Sequence, residues 1–188
     1  MAKRIFNLAN NLTLTRIIIV PILIVLFLYS TSRTSCLIAA LIFALAALTD
    51  WLDGYIARKQ NLITTLGQFL DPLADKLLVS VTLIMLVSLD RVPAWMVAII
   101  IAREVAITGL RIAAAREGII IASSKWAKYK TAFQLVATEG LLIHYTYFTI
   151  DFHRVGIVIL SLAMLITLWT GLVYFINFFK KTAAFSKE

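Results

Sequence analysis

The chain has 188 residues, of which 61% are hydrophobic and 15% charged, with a formal net charge of +8. Soluble domains run at about 45–50% apolar and about 25% charged residues, so this balance excludes an ordinary soluble globule and points to an integral membrane protein. The positive excess does not describe a nucleic-acid surface, because the basic residues fall at the ends of apolar runs, where anionic lipid headgroups or phosphorylated substrates are the fitting partners.

Six apolar runs, at 13–30, 35–58, 65–89, 93–117, 124–148 and 153–179, predict an all-α integral membrane fold of six transmembrane helices, each near the roughly 20 residues that span a bilayer. Residues 1–188 read as a single transmembrane domain, with 1–12 a juxtamembrane segment and 181–188 a tail. The first run opens basic, but Arg16 stands at its start and no small-residue cleavage site follows, so this span is expected to stay attached. Cys36, in the second run, is the single cysteine; it excludes an intrachain disulfide or a thiol cluster for soft metals and reads as a small buried hydrophobe. Of the eighteen Lys and Arg residues, only Arg33, Arg91 and Arg154 fall in the loops after the first, third and fifth spans. The crowded side is therefore expected to be cytoplasmic, with both termini there. Trp51, Trp95, Trp126 and Trp169 lie mostly near predicted span ends, where interfacial anchors sit.

Negative charge gathers where the second run ends and the third begins. Asp50 and Asp53 are spaced i, i+3, and Asp71 and Asp75 are spaced i, i+4, so each pair shares a helix face. A short cytoplasmic connection makes the two helices antiparallel neighbours, which lets all four carboxylates converge. Ionised aspartates inside a bilayer cost roughly 2.5–3.5 kcal/mol each at a helix centre, and their mutual repulsion adds to that. Lys76 and Arg58 offer two positive charges, but four oxygen donors with no histidine or thiol nearby suit two hard divalent cations, Mg2+ or Mn2+. Two-metal sites serve phosphoryl transfer, and Gly54 and Gly67, beside the acids, would let a bulky ligand approach the backbone.

These residues form one pattern, D-x-x-D-G-x-x-A-R followed by G-x-x-x-D-x-x-x-D, filled by Asp50, Asp53, Gly54, Ala57, Arg58, Gly67, Asp71 and Asp75. It resembles the signature of the CDP-alcohol phosphotransferase family at every position. The resemblance implies a six-helix membrane fold, a homodimer, and displacement of CMP from a CDP-linked donor by an alcohol. It also implies that Asp50, Asp53, Asp71 and Asp75 hold two divalent metals, with Asp75 the base. Asp50, Gly54, Ala57, Arg58 and Gly67 would cradle the cytidine diphosphate.

The fourth run contains AREVAITGLR, with Arg103 and Glu104 inside it and Arg111 eight residues beyond Arg103. The fifth opens SSKWAKYKTAFQ, giving Lys125, Lys128, Lys130, Thr131 and Gln134. Arginine is not needed to neutralise a four-carboxylate, two-metal site, so a second anion is implied, and a phosphate on the acceptor supplies it. The bland alternative is a structural ion pair for Arg103 and a merely topological role for the lysines. R-E-x-x-x-x-G-L-R and K-x-K-T-x-x-Q are similar to stretches of the family's phosphatidylglycerophosphate synthase branch, with Ala127 where many relatives carry glycine. On that resemblance Arg103, Arg111 and Lys128 take the acceptor phosphate, with Lys125, Lys130, Thr131 and Gln134 around them. Thr13 and Arg16, in N-x-L-T-x-x-R, would meet the donor lipid.

The expected reaction moves the phosphatidyl group of CDP-diacylglycerol to sn-glycerol 3-phosphate at the cytoplasmic face of a bacterial inner membrane, with inositol phosphate or serine as alternative acceptors. A divalent-cation transporter is the rival class, but it would spread its acids across the membrane, and Glu139 stands alone in mid run. Glu139 and His144 read as interhelical hydrogen-bonding residues, and His153 as a loop residue.

Overall fold

A computed structural model describes the backbone of residues 8–60, 65–116 and 125–185, and the side chains of 14–49, 73–74, 76–114 and 129–179. Six helices run through it: α1 (Leu8–Tyr29), α2 (Arg33–Gln60), α3 (Thr65–Ser88), α4 (Ala94–Arg116), α5 (Lys125–Ile143) and α6 (Phe152–Phe185). A hairpin of two-residue strands, β1 (Thr146–Tyr147) and β2 (Ile150–Asp151), joins α5 to α6. Among the described residues one segment, Phe152–Phe179, is long and apolar enough to cross a bilayer by itself, with mean hydropathy 2.3. Shorter apolar stretches occupy Leu14–Tyr29, Arg33–Thr49 and Lys76–Ser88, because charged residues interrupt α2 and α3 near one end.

Local chemistry sets the helix ends. Ser32 caps α2, its hydroxyl accepting from the Ser35 amide at 3.3 Å. Beyond Ser88, the Asp90 amide donates to the Val87 carbonyl at 3.0 Å and the Arg91 amide to that of Leu86 at 2.9 Å, with Asp90 at φ 55°. That paired closure is a Schellman motif; aspartate tolerates the left-handed turn, and Pro93 keeps the helix from resuming before α4. Asp151 caps α6, accepting from the Arg154 amide at 3.1 Å.

The predicted fifth span does not reach residue 148. α5 stops at Ile143, His144 turns left-handed at φ 62°, and Phe148 and Thr149, at φ 48° and 68°, form the tight turn of the hairpin. Two positive φ values in a two-residue loop match the twist of the flanking strands. Apolar and aromatic residues disguise this turn as membrane span. His153, expected in a loop, lies instead in the first turn of α6, its ring edge-on to His144 at 4.9 Å between centroids.

α1 packs against both α2 and α3, α5 runs along α6 and also meets α2, and α4 leans on α6. Phe43, Leu83, Leu86, Leu141 and Leu160 fill the centre. Where α5 crosses α6, Gly140 and Gly156 bring the backbones together: a methyl group on Gly156 would stand 2.8 Å from Leu141 Cγ. Small residues of this kind allow close approach when the surroundings are as apolar as the helices themselves. Large apolar side chains also cover the outside, with Leu28 71% and Trp169 67% exposed, an arrangement suited to lipid rather than water.

Arg91, counted from sequence as a loop charge, is buried. It donates to Cys36 Sγ at 3.1 Å and to the Leu142 carbonyl at 3.4 Å, while its guanidinium lies 5.9 Å from the Phe27 ring centre. One side chain thus ties α1, α2 and α5 together. Cys36 is fully buried, as expected.

Candidate active site

The four aspartates lie on two unbroken helices, Asp50 and Asp53 on α2, and Asp71 and Asp75 on α3. Helical spacing keeps each pair on one face. Their side chains, and those of Thr13, Gly54, Ala57, Arg58, Gly67, Lys125 and Lys128, lie outside the described residues. Side chains just before and just after the acidic stretch are described, and some of them line a cavity of about 230 Å³. Ala47, three residues before Asp50, forms one wall of it, and Lys76, next to Asp75, forms another.

Arg16 of α1, Lys76 and Ser80 of α3, Glu104 of α4, and Lys130, Thr131 and Gln134 of α5 supply the polar lining. Arg16 is 1% and Lys130 6% exposed. Glu104 forms ion pairs with Lys130 and, at 3.4 Å, with Arg103. Lys76 Nζ donates to the Thr108 hydroxyl, which in turn donates to the Glu104 backbone carbonyl at 2.7 Å. Among the described residues three cations and one carboxylate line this cavity, a basic lining inside a helical bundle. Gln134 Nε2 is buried with no hydrogen-bond partner among the described residues, a donor left over for a ligand.

Arg103 and Arg111, the expected acceptor ligands, lie beside this cavity, against α6. Arg103 donates to Thr170 Oγ1 at 2.7 Å, and Arg111 to the Tyr174 hydroxyl at 2.8 Å with its guanidinium 5.1 Å from that ring's centre. Gly171 makes room for Arg103, whose Cγ and Nε would come within 3.2 Å of a methyl group there. The cavity therefore unites Arg16, Lys130, Thr131 and Gln134 of the sequence-derived set with Lys76 and Glu104. Thr108, Thr170 and Tyr174 were not singled out from sequence. Thr170 and Tyr174, spaced i, i+4 within an apolar run, carried the signal of a polar face on α6.

The CDP-alcohol phosphatidyltransferase family model matches residues 6–172. A protein of Bacillus subtilis named CDP-diacylglycerol--glycerol-3-phosphate 3-phosphatidyltransferase is 43% identical over 90% of this chain and 94% of its own length. Proteins of the same name from Rickettsia typhi and Haemophilus influenzae are 41% and 38% identical, over 90% of this chain and 95% and 91% of their own lengths. A family match along most of the sequence, joined to relatives 38–43% identical over 90% of the chain, leads to one conclusion: the chain belongs to the CDP-alcohol phosphatidyltransferase family.

Proposed function

We propose that this protein is an enzyme that transfers the phosphatidyl group from CDP-diacylglycerol to sn-glycerol 3-phosphate, giving phosphatidylglycerophosphate and CMP. The observation that carries the reading is the cavity beside the aspartate motif, lined by Arg16, Lys76, Lys130 and Gln134, in a chain so close to relatives bearing that name. A phosphorylated acceptor makes use of basic side chains and a buried amide donor lining one space; serine, which carries no phosphate, has less use for them.

The aspartates are an all-oxygen donor set carried by α2 and α3, suited to hard divalent cations. Asp50, Asp53, Asp71 and Asp75 would hold two of them, Mg2+ or Mn2+, which would supply polarisation of the diphosphate and charge stabilisation for the leaving CMP. Asp75 accepts the proton of the acceptor hydroxyl. Gly54, Ala57 and Gly67 leave room for the nucleotide, and Arg58 pairs with its phosphate. Lys130, Arg16 and Gln134 orient the acceptor phosphate in the cavity. Arg103 joins them through the Glu104 carboxylate it shares with Lys130, and Lys128 and Arg111 are further candidates for the acceptor phosphate.

All six helices cross the bacterial inner membrane, both termini and the active site face the cytoplasm, and two copies of this single catalytic domain associate as a homodimer. The lipid donor then keeps its tails in the bilayer while its head and the soluble acceptor meet at the inner leaflet. The test is an acceptor panel: purified protein, CDP-diacylglycerol and Mg2+ or Mn2+ are given labelled glycerol 3-phosphate, inositol phosphate or serine. Metal-dependent CMP release with glycerol 3-phosphate alone is expected. Turnover with another alcohol and none with glycerol 3-phosphate would overturn the acceptor assignment.

A further inference from the structure

The chain has two histidines, His144 and His153, and the fold brings them together. His144 sits in the left-handed turn that ends α5, and His153 in the first turn of α6; their ring centres are 4.9 Å apart with the planes at 74°. The Nδ1 atoms of both are buried with no hydrogen-bond partner among the described residues, and so is the hydroxyl of Tyr147 in the same turn. Buried polar atoms are ordinarily paired, so unpaired ones gathered in a single turn point to a partner other than these side chains. A space of about 490 Å³ lined by Asp90, Arg91 and His153 lies alongside, and Asp90 and Pro93 on its rim are exposed, which gives a small ligand access. This is the end of the bundle away from the aspartates. Arg91 bridges Cys36 to Leu142 there, and from Cys36 the helix α2 runs about 21 Å before it reaches Asp50.

We propose that His144 and His153 form a two-imidazole site for a nitrogen-preferring divalent ion, Zn2+ or Cu2+, which clasps the end of α5 to the start of α6. The ring separation carries the argument. With metal–nitrogen bonds of about 2.0–2.1 Å, an ion in the plane of an imidazole lies roughly 3.2 Å from the ring centre, and two such rings at a tetrahedral angle have centres about 5 Å apart. The observed 4.9 Å matches that separation. Imidazole suits zinc and copper, whereas Mg2+ takes oxygen donors, so this site and the aspartates select different ions. Burial, then the charges of Arg91 and His153, holds the His144 pKa below its ordinary value and leaves the ring neutral at pH 7, with a lone pair free for a metal. The Asp151 carboxylate acts in the opposite sense and supplies negative charge that an added cation would feel against that of Arg91. Among the described residues no third histidine, cysteine or carboxylate completes a metal-binding group, so the remaining coordination positions fall to water. The site does not depend on the reaction proposed above.

Because the chain holds no other imidazole, a spectroscopic count of histidine ligands decides the matter. Full-length protein without a histidine tag, in detergent with excess Mg2+ to fill the oxygen sites, receives one equivalent of Cu2+, and electron spin-echo modulation from the remote imidazole nitrogens is recorded. Two coordinated imidazoles are expected in the parent, unchanged on tenfold dilution, one in His144→Gln or His153→Gln, and none in the double variant. No imidazole, or only one, in the parent overturns the proposal, and this measurement stands even where a variant does not fold. A two-imidazole signal that fades on dilution also overturns it, since the rings would then come from separate molecules. Zn2+ added in the same Mg2+ buffer is expected to displace the copper signal and to raise the thermal unfolding midpoint of the parent but not of the double variant. An equal rise in both would place the stabilising ion elsewhere and overturn the clasp.

Discussion

Arg91 lays its guanidinium against the thiol of Cys36, with Nη2 3.1 Å from Sγ and the neighbouring Nη1 reaching the Leu142 carbonyl at 3.4 Å. These contacts link the start of α2 to the end of α5 through the turn that precedes α4. Arg91→Ala removes the donor to a helix-terminal carbonyl and opens a void beside Phe27. It is expected to cost about 2–4 kcal/mol of stability. Thermal unfolding in detergent checks this, and an unshifted midpoint would show that the guanidinium is structurally idle. Arg91→Met, which keeps most of the volume, should lose less.

Asp75→Asn keeps the shape of the side chain and removes its basicity. The proposed role predicts a fall in kcat of about 10²–10⁴-fold with insertion and folding intact. Asp71→Ala should abolish turnover in the same way, by removing a metal-holding oxygen pair. Full activity in either variant would take the motif out of the active centre.

The Glu104 carboxylate binds both Arg103 and Lys130, so these two cations should work as a unit on the acceptor. Lys130→Met and Arg103→Ala are each expected to raise KM for glycerol 3-phosphate by roughly tenfold or more, the worth of a charge-assisted hydrogen bond, with KM for the lipid donor little changed. The double variant should cost less than the product of the two single effects. Unchanged acceptor KM in both singles would remove this cluster from acceptor binding.

His144 lies in the turn after α5, edge-on to Tyr145 and His153. Burial, then the charge of Arg91 and the proximity of His153, push its pKa below the ordinary 6.5, while Asp151 pulls it the other way. Because the folded value lies below the unfolded one, the unfolded chain takes up the proton first as pH drops. The turn is therefore fully stable above about 6.5 and loses stability as pH falls below that value and through the lowered pKa. An imidazole NMR titration should give a midpoint for His144 under 6.5, and amide protection of the turn in the parent, relative to His144→Gln, should shrink on acidification. A midpoint at or above 6.5 would contradict the burial argument.

The six helices were legible because an apolar run long enough to span a bilayer has few other readings, and the breaks at Asp90–Pro93 and Ser30–Thr34 carry ordinary turn residues. The end of α5 was hidden for the opposite reason. Its reversal uses His144, Phe148 and Thr149 at positive φ, where glycine or asparagine would have announced a turn. Within the site, spacing along one helix was enough to bring Lys130, Thr131 and Gln134 together on α5. It could not foresee that Arg103 and Arg111 rest on Thr170 and Tyr174, because nothing in α4 records which helix lies beside it. Nor did the lone position of Lys76 reveal that it would line a common space with Glu104, a residue 28 positions away.

Cys36, enclosed by the guanidinium and by the Thr31 carbonyl 3.7 Å from its sulfur, has a practical consequence. A maleimide added to folded protein meets no accessible native sulfhydryl among the described residues. Reporter cysteines introduced one at a time at helix ends can therefore be alkylated in the unaltered chain, and reagents that do not permeate membranes will read out the sidedness of each loop directly.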